Sequence, residues 1–424
     1  MGVAGVPVSS ARARADRVAL LATTLGGALE WYDLILYGLF AGTLATLFFP
    51  TQHGATGLLL SLGSFGVAFV VRPLGAAWLG AYADRHGRRR ALVLSSALMT
   101  VGTAMLAGVP TFATIGVWAP VLVVASRLTQ GFAAGGEFGS AASMLAERHP
   151  ERRGFYSAFQ WSASGLSVTL AALFSWLLHL VLSDATILSG AWRIPFAFGA
   201  IAGPAITWLR LRSDESPEFE AAHDKAPLRE ILATGKLRLA TAIGLVSLGG
   251  AASYLNVYMP TYARGALHLG QASSVAGTLV SGVLMILLPP WFAALGDRYG
   301  RPRVMAVAAL VSGVIVWPLF HVLVTAPSVL RLVLVQATLV LSVYCGYYAS
   351  LAALFADLFP ARNRASAIAL SYALGQLAFG GFTPMILSSL VGYFHDPAVP
   401  AFYLIGMAML SLLCLWRVRL HFQT

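Results

Sequence analysis

Five charged residues stand inside stretches that are otherwise apolar: Glu30 with Asp33, then Arg72, Arg127 and Glu137. An ionisable side chain within a lipid-spanning segment costs at least ~2.5 kcal/mol, so such a set marks a binding or transfer site. Glu30 and Asp33 are three residues apart and share one helix face. A guanidinium clamps a carboxylate through two parallel hydrogen bonds, so Arg72 and Arg127 suit an organic anion. The second half of the chain offers phenols and amides instead. Tyr254, Tyr258 and Tyr262 recur every four residues, Tyr344, Tyr347 and Tyr348 form a stripe, and Gln160, Asn256 and Gln376 add further polar groups. A cavity cationic on one wall and phenolic on the other fits a carboxylate ligand. Arg193, near the end of its apolar run, is free to reach the membrane interface.

The elements that must position these groups follow from composition. With 58% hydrophobic residues, 11% charged residues and a mean hydropathy of +0.75, the chain has too little polar surface for a water-soluble globule. Continuous apolar runs of about 20 residues, enough to cross a bilayer of about 30 Å, begin near residues 20, 57, 91, 115, 155, 191, 238, 271, 303, 329, 365 and 399. They are rich in Leu, Ala, Gly and Val and do not alternate, which predicts an all-α membrane protein of twelve transmembrane helices. At 1.5 Å per residue, Arg72 stands ~18 Å from Asp84 at the nearer face and Glu30 ~20 Å from Arg17, both close to the midplane. Arg127 is expected at similar depth, with Glu137 about 15 Å nearer that face. Gly131, Gly135 and Gly139, spaced by four, predict close helix packing.

A repeated phrase divides the chain. Gly80-Ala-Tyr-Ala-Asp84-Arg85-His-Gly87-Arg88 returns as Ala294-Leu-Gly-Asp297-Arg298-Tyr-Gly300-Arg301, 213 residues later. Duplication within an apolar chain predicts two pseudo-symmetric six-helix bundles. The expected division is a tail over 1–19, a first bundle over 20–212, a linker over 213–237, a second bundle over 238–420 and a tail over 421–424. Lys and Arg concentrate on the termini and the even-to-odd connections, while the opposite connections hold only Arg264 and Arg331. By the positive-inside rule both termini are cytoplasmic in a multi-pass inner-membrane protein. That asymmetry accounts for the net charge of +11, so no nucleic-acid partner is expected. The basic N-terminus is not read as a signal peptide, because Glu30 and Asp33 interrupt the first run. Asp84, Arg85, Arg88, Asp297, Arg298 and Arg301 are expected to hold a cytoplasmic gate, with Asp84 facing a helix N-terminus. Cys345 and Cys414 fall inside helices, no metal site or cofactor is expected, and nothing reads as a catalytic constellation.

The pattern Gly80-x3-Asp84-Arg85-x-Gly87-Arg88-Arg89 resembles the helix 2 to 3 signature of the major facilitator superfamily, and Arg127-Leu-Thr-Gln130-Gly131 is similar to its helix 4 motif. Glu30-Trp-Tyr-Asp33, Val71-Arg72-Pro73-Leu-Gly75, Gly135-Gly136-Glu137-Phe-Gly139 and Trp192-Arg193-Ile194-Pro195-Phe196 resemble the metabolite:proton symporter family. The resemblance spans essentially the whole chain and implies the major facilitator fold. Within the family, Gly80-Ala-Tyr-Ala-Asp84, Val257-Tyr258-Met-Pro260-Thr-Tyr262 and Gly380-Gly-Phe-Thr-Pro384 look most like the citrate and tricarballylate members.

The resemblance implies a proton-coupled secondary transporter that imports a small di- or tricarboxylate by alternating access, with a proton as coupling ion and a monomer as the working unit. A trianion entering against ~100 mV meets about 2.3 kcal/mol per charge, so co-transported protons have an energetic use. Asp33, then Glu30, then Glu137 are the expected proton carriers. The alternatives are 2-oxoglutarate, shikimate or proline and betaine as substrate, or a non-transporting membrane sensor. An osmolyte carrier of this family would be expected to carry a long charged C-terminal tail, which favours a metabolic solute here.

Overall fold

The computed structural model describes residues 10–51, 54–148, 150–212, 215, 235–360 and 364–421. The tails beyond those limits, most of the expected linker, His53, His149 and Arg362 lie outside the described residues. Hydrocarbon offers no water to backbone amides, so a spanning chain must close its hydrogen bonds within helices. The long helices are α1 (Ser10–Leu39, bending by 68° into Ala41–Phe48), α2 (Gly54–His86), α3 (Arg88–Gly108), α4 (Trp118–Arg148), α5 (Arg153–Val181) and α6 (Arg193–Leu211). The second set is α7 (Lys236–Gly265), α8 (Ala276–Leu287, bending by 49° into Pro289–Tyr299), α9 (Arg301–Thr325), α10 (Val329–Leu358), α11 (Arg364–Phe394) and α12 (Val399–His421). Among the described residues there is no strand. Among the described residues nine helices are long and apolar enough to cross a bilayer, up to eleven when each bent pair is one span. α4 is as long, but Arg127, Gln130 and Glu137 dilute its apolar character.

Outward faces and seams have different compositions. On α6, α9 and α12 the exposed side chains include Ile201, Trp208, Val307, Val314, Leu413 and Trp416, a surface suited to lipid tails. α7 is buried almost throughout. Close approach is made by small residues, as packing between lipid-bathed helices requires. A Cβ at Gly131 would overlap the Ala68 carbonyl, and one at Gly135 the carbonyl of Arg72 itself. The glycine rail of α4 therefore sets where Arg72 stands. Gly139 meets Ala365 of α11, and Gly165 meets Met285 and Ile286 of α8, so α4 and α5 also carry the seam between the bundles.

The duplicated phrase folds alike in both halves. Gly87 joins α2 to α3 at φ 106°, and Gly300 joins α8 to α9 at φ 91°. With ψ near 150°, Gly87 occupies a region that only glycine adopts readily. Gly87→Ala is expected to cost about 1–3 kcal/mol, read as a lower thermal unfolding midpoint in detergent.

Candidate functional site

Arg72 stands at the seam. Its guanidinium lies 4.4 Å from the ring centroid of Phe69 and 5.6 Å from that of Trp31, and 3.8 Å from a carboxylate oxygen of Glu30. That separation is too long for a hydrogen bond, although both side chains are buried. Across the seam Tyr254 of α7 packs on the same rings, 5.1 Å from Phe69, 5.7 Å from Phe65 and 6.4 Å from Trp31. Arg72 Nε, Glu30 Oε2 and the Tyr254 hydroxyl have no hydrogen-bond partner among the described residues. Buried polar atoms are normally paired, so this loose group has hydrogen-bonding capacity left over.

Asp33 lies one turn away, deeper in the first bundle. Its Oδ2 accepts from the Thr103 hydroxyl and from the Gln130 amide at 3.4 Å. Gln130 also donates to Thr103 Oγ1 at 3.0 Å. Arg127 rests over the ring of Tyr37 at 4.4 Å, and its Nε and Nη2 are unpaired among the described residues. Glu30, Asp33, Arg72, Arg127 and Gln130 line one small cavity of about 10 Å³, and every lining residue belongs to the first half. That is room for about one water molecule.

Glu137 has a different setting. Arg210 Nη2 bonds its Oε1, Arg210 Nη1 donates to Oε2 at 3.2 Å, and Ser95 donates to Oε2 at 3.1 Å. The guanidinium also reaches the Leu92 carbonyl at 2.8 Å and Ser96 Oγ. Sequence reasoning missed this partner, because a cation near the end of an apolar run reads as part of the following loop. Arg210 is 1% exposed. Arg193, by contrast, donates to the Val109 carbonyl at 2.8 Å and lies over Trp192.

In the second half the expected residues separate. Gln376 donates to Tyr348 at 3.1 Å and to Tyr372 at 2.6 Å. Tyr348 stacks on Trp161 at 4.0 Å, and Tyr372 stacks on Phe138 at 3.7 Å, so these groups meet the first half. Tyr344 lies 6.4 Å from Trp161, and Gln160 leaves both amide atoms unpaired among the described residues. Asn256 turns inward, accepting from Gln336 at 2.7 Å. Tyr347 donates to the Leu245 carbonyl at 2.8 Å, and Tyr262 donates to that of Pro397 at 2.5 Å. Tyr258 packs 6.2 Å from Tyr262. Tyr372, Trp161 and Phe138 were not singled out from sequence, since aromatic residues in an apolar helix read as packing.

The expected cavity, cationic on one wall and phenolic on the other, is not open between the two walls in this structure. Arg72 is 3% and Arg127 1% exposed, and the stacked pairs Trp161–Tyr348 and Phe138–Tyr372 pack across the seam between the bundles. The face at which α1 begins and α12 ends is closed as well. Asp84 accepts from the Ser366 amide at 3.2 Å and from its hydroxyl, in the first turn of α11. Asp297 accepts from the amides of Gly154 and Phe155 at 3.1 and 3.2 Å, at the start of α5. Each aspartate thus docks on a helix N-terminus of the opposite half, where the dipole favours negative charge. Arg88 bridges Asp84 and Glu147, which reaches Arg364 of the second half at 3.6 Å. Arg301 joins Asp297 and Asp357, and Asp357 lies 3.8 Å from Arg153 of the first half. Arg85 is exposed, and Arg298 lies over Tyr299. Among the described residues no cluster of three or more His, Cys, Asp or Glu could hold a metal ion.

Two helical bundles latched in mirrored fashion at one face, with ionisable groups sealed at mid-depth, define a membrane transporter. A family model for the Major Facilitator Superfamily matches residues 23–288 and 266–423, and the chain belongs to that superfamily. It is 35% identical over 400 residues to the citrate-proton symporter of Klebsiella pneumoniae, covering 93% of this chain and 90% of that protein. It is 33% identical to the shikimate transporter of Escherichia coli (strain K12), covering 93% and 92%. Among solved structures it is similar to the proton:xylose symporter XylE bound to 6-bromo-6-deoxy-D-glucose, with a TM-score of 0.79, 18% identity and 96% of each chain covered.

Proposed function

We propose that this protein is a proton-coupled importer of a small di- or tricarboxylate, citrate or tricarballylate foremost, working by alternating access in the inner membrane. The observation that carries the reading is the loose Arg72–Glu30 contact at the seam. A substrate carboxylate can take Arg72 in a two-point clamp, and Glu30, losing its cation, then binds a proton. Asp33 is the first candidate carrier, Glu30 the second and Glu137 the last, because Arg210 already cancels its charge. Arg127 lines the same cavity and supports the clamp, its Nε and Nη2 being unpaired among the described residues. Tyr254, Tyr344, Tyr348, Gln160 and Gln376 would close over the substrate from the seam, while Asn256, Tyr258 and Tyr347 act through packing. The bundles are assigned to residues 20–212 and 238–420, joined by a linker over 213–237, with both termini cytoplasmic. The closed face is then the inner gate, and the working unit is a monomer. Similarity to citrate-proton symporters supports the substrate class and the coupling ion. Nearly equal identity to the shikimate transporter favours, as a second reading, a monocarboxylate held by the same arginine.

Uptake of labelled citrate into proteoliposomes under an imposed pH gradient tests the proposal, with tricarballylate, 2-oxoglutarate, shikimate and betaine as competitors. Citrate or tricarballylate should win; betaine winning would overturn the substrate class. Arg72→Lys keeps the charge but loses the fork. One charge-assisted hydrogen bond is worth about 1.5–3 kcal/mol, so KM should rise roughly tenfold or more, measured from initial rates. An unchanged KM would remove Arg72 from the binding site.

A further inference from the structure

One opening between the two halves lies at the face opposite the start of α1 and the end of α12, and it carries an arginine. The 68° bend after Leu39 swings the end of α1 aside. The resulting cavity, about 390 Å³, is lined by Thr43, Thr46 and Thr51 from the first half and by Thr261 and Arg264 from the end of α7. Its volume falls within the roughly 300–1,000 Å³ of small-molecule pockets. Arg264 reaches across the seam: a Cβ at Gly42 would lie 3.8 Å from its Nη2. Asp184 is the acid whose field it feels, and Thr46 donates to the Gly42 carbonyl at 3.2 Å.

We infer that this vestibule is a capture subsite for the carboxylate substrate, with Arg264 as the attracting charge and the Thr43 and Thr261 hydroxyls as further donors. The inference rests on the carboxylate reading above. Placement argues for it. Along the straight part of α1, Leu39 stands ~14 Å beyond Glu30, and along α7, Arg264 stands ~15 Å beyond Tyr254. The vestibule therefore sits over the Arg72 layer on the two helices that flank the seam. Charge argues for it too, because the connections on this face hold few cations. An anion approaching this face meets the Arg264 guanidinium, which lines the opening, and such steering raises the association rate and weakens with salt. The seam beneath is sealed by aromatic rings in this conformation, so an anion held here waits at the mouth of the route to Arg72.

The test compares wild type, Arg264→Gln and Arg264→Lys in proteoliposomes, with initial rates of labelled citrate uptake at about 20 and about 300 mM salt, where screening lengths differ severalfold. Arg264→Gln should raise KM about five- to twentyfold at low salt, leave the maximal rate unchanged and flatten the salt dependence of kcat/KM. Arg264→Lys should recover most of the loss. An unchanged KM and salt dependence in Arg264→Gln, with citrate carried by wild type, overturns the vestibule alone. A fall in maximal rate at constant KM also overturns it, marking Arg264 as a gate residue. If wild type carries none of citrate, tricarballylate, 2-oxoglutarate or shikimate, the carboxylate reading fails and the capture site with it.

Discussion

Asp33→Asn should abolish proton-driven accumulation of substrate while sparing counterflow exchange. In a coupled carrier, each proton moved down a gradient of one pH unit adds ~1.4 kcal/mol, tenfold in accumulation. The variant should lose that factor entirely and equilibrate substrate without concentrating it. The reason lies in what surrounds the carboxyl. Its donors are neutral, the Thr103 hydroxyl and the Gln130 amide, and it forms no salt bridge among the described residues. A proton bound there changes the net charge of the whole layer. Thr103 is placed to serve both forms, since its Oγ1 lies 3.0 Å from the Met99 carbonyl as well as beside Asp33. With Asp33 ionised, the threonine hydrogen points at the carboxylate. With Asp33 protonated, that hydrogen turns to Met99, and Oγ1 accepts from the acid. An amide at position 33 mimics the protonated form permanently. Accumulation at the wild-type level in Asp33→Asn, measured as the inside-to-outside ratio at steady state, would pass the role to Glu30.

Much of this arrangement was legible in the chain because charge in an apolar run has few meanings. Glu30, Asp33, Arg72 and Arg127 were read as one mid-depth group, and they line one cavity. The 213-residue repeat likewise anticipated that Asp84 and Asp297 hold equivalent positions, down to the left-handed glycines three residues on. Azimuth was not legible. A polar residue in a fully buried helix such as α7 has neighbours on every side, so Asn256 could face the seam or Gln336, and it faces Gln336. Tyr347 and Tyr348 are adjacent in sequence yet point to different partners, because consecutive residues on a helix are about 100° apart; here the turn is also π-helical. The conformational state was equally hidden. The same residues can line an open pocket or a stacked aromatic plug, and only the packing of Trp161 on Tyr348 and Phe138 on Tyr372 says which.

Breaking the Glu137–Arg210 pair should have the largest effect on stability. Both side chains are at most 2% exposed, and the guanidinium is wedged against Gly26, where a Cβ would overlap it. The pair ties α4 to α6 and, through Ser95, Ser96 and the Leu92 carbonyl, to α3. Removing one partner strands a buried charge, and such breaks cost about 3–5 kcal/mol. Arg210→Met and Glu137→Leu should therefore each lower the unfolding midpoint sharply, with Arg210→Met leaving a carboxylate held, among the described residues, by Ser95 alone. The double variant is the informative one. Replacing a buried pair with apolar side chains of similar volume is often neutral or stabilising, so Glu137→Leu/Arg210→Met should unfold close to the wild-type temperature. If Glu137 only fixes helices, the double variant also accumulates substrate under a pH gradient. A double variant that is stable, exchanges substrate and yet fails to concentrate it would instead make Glu137 a proton carrier, and the ordering that places Asp33 first would fall.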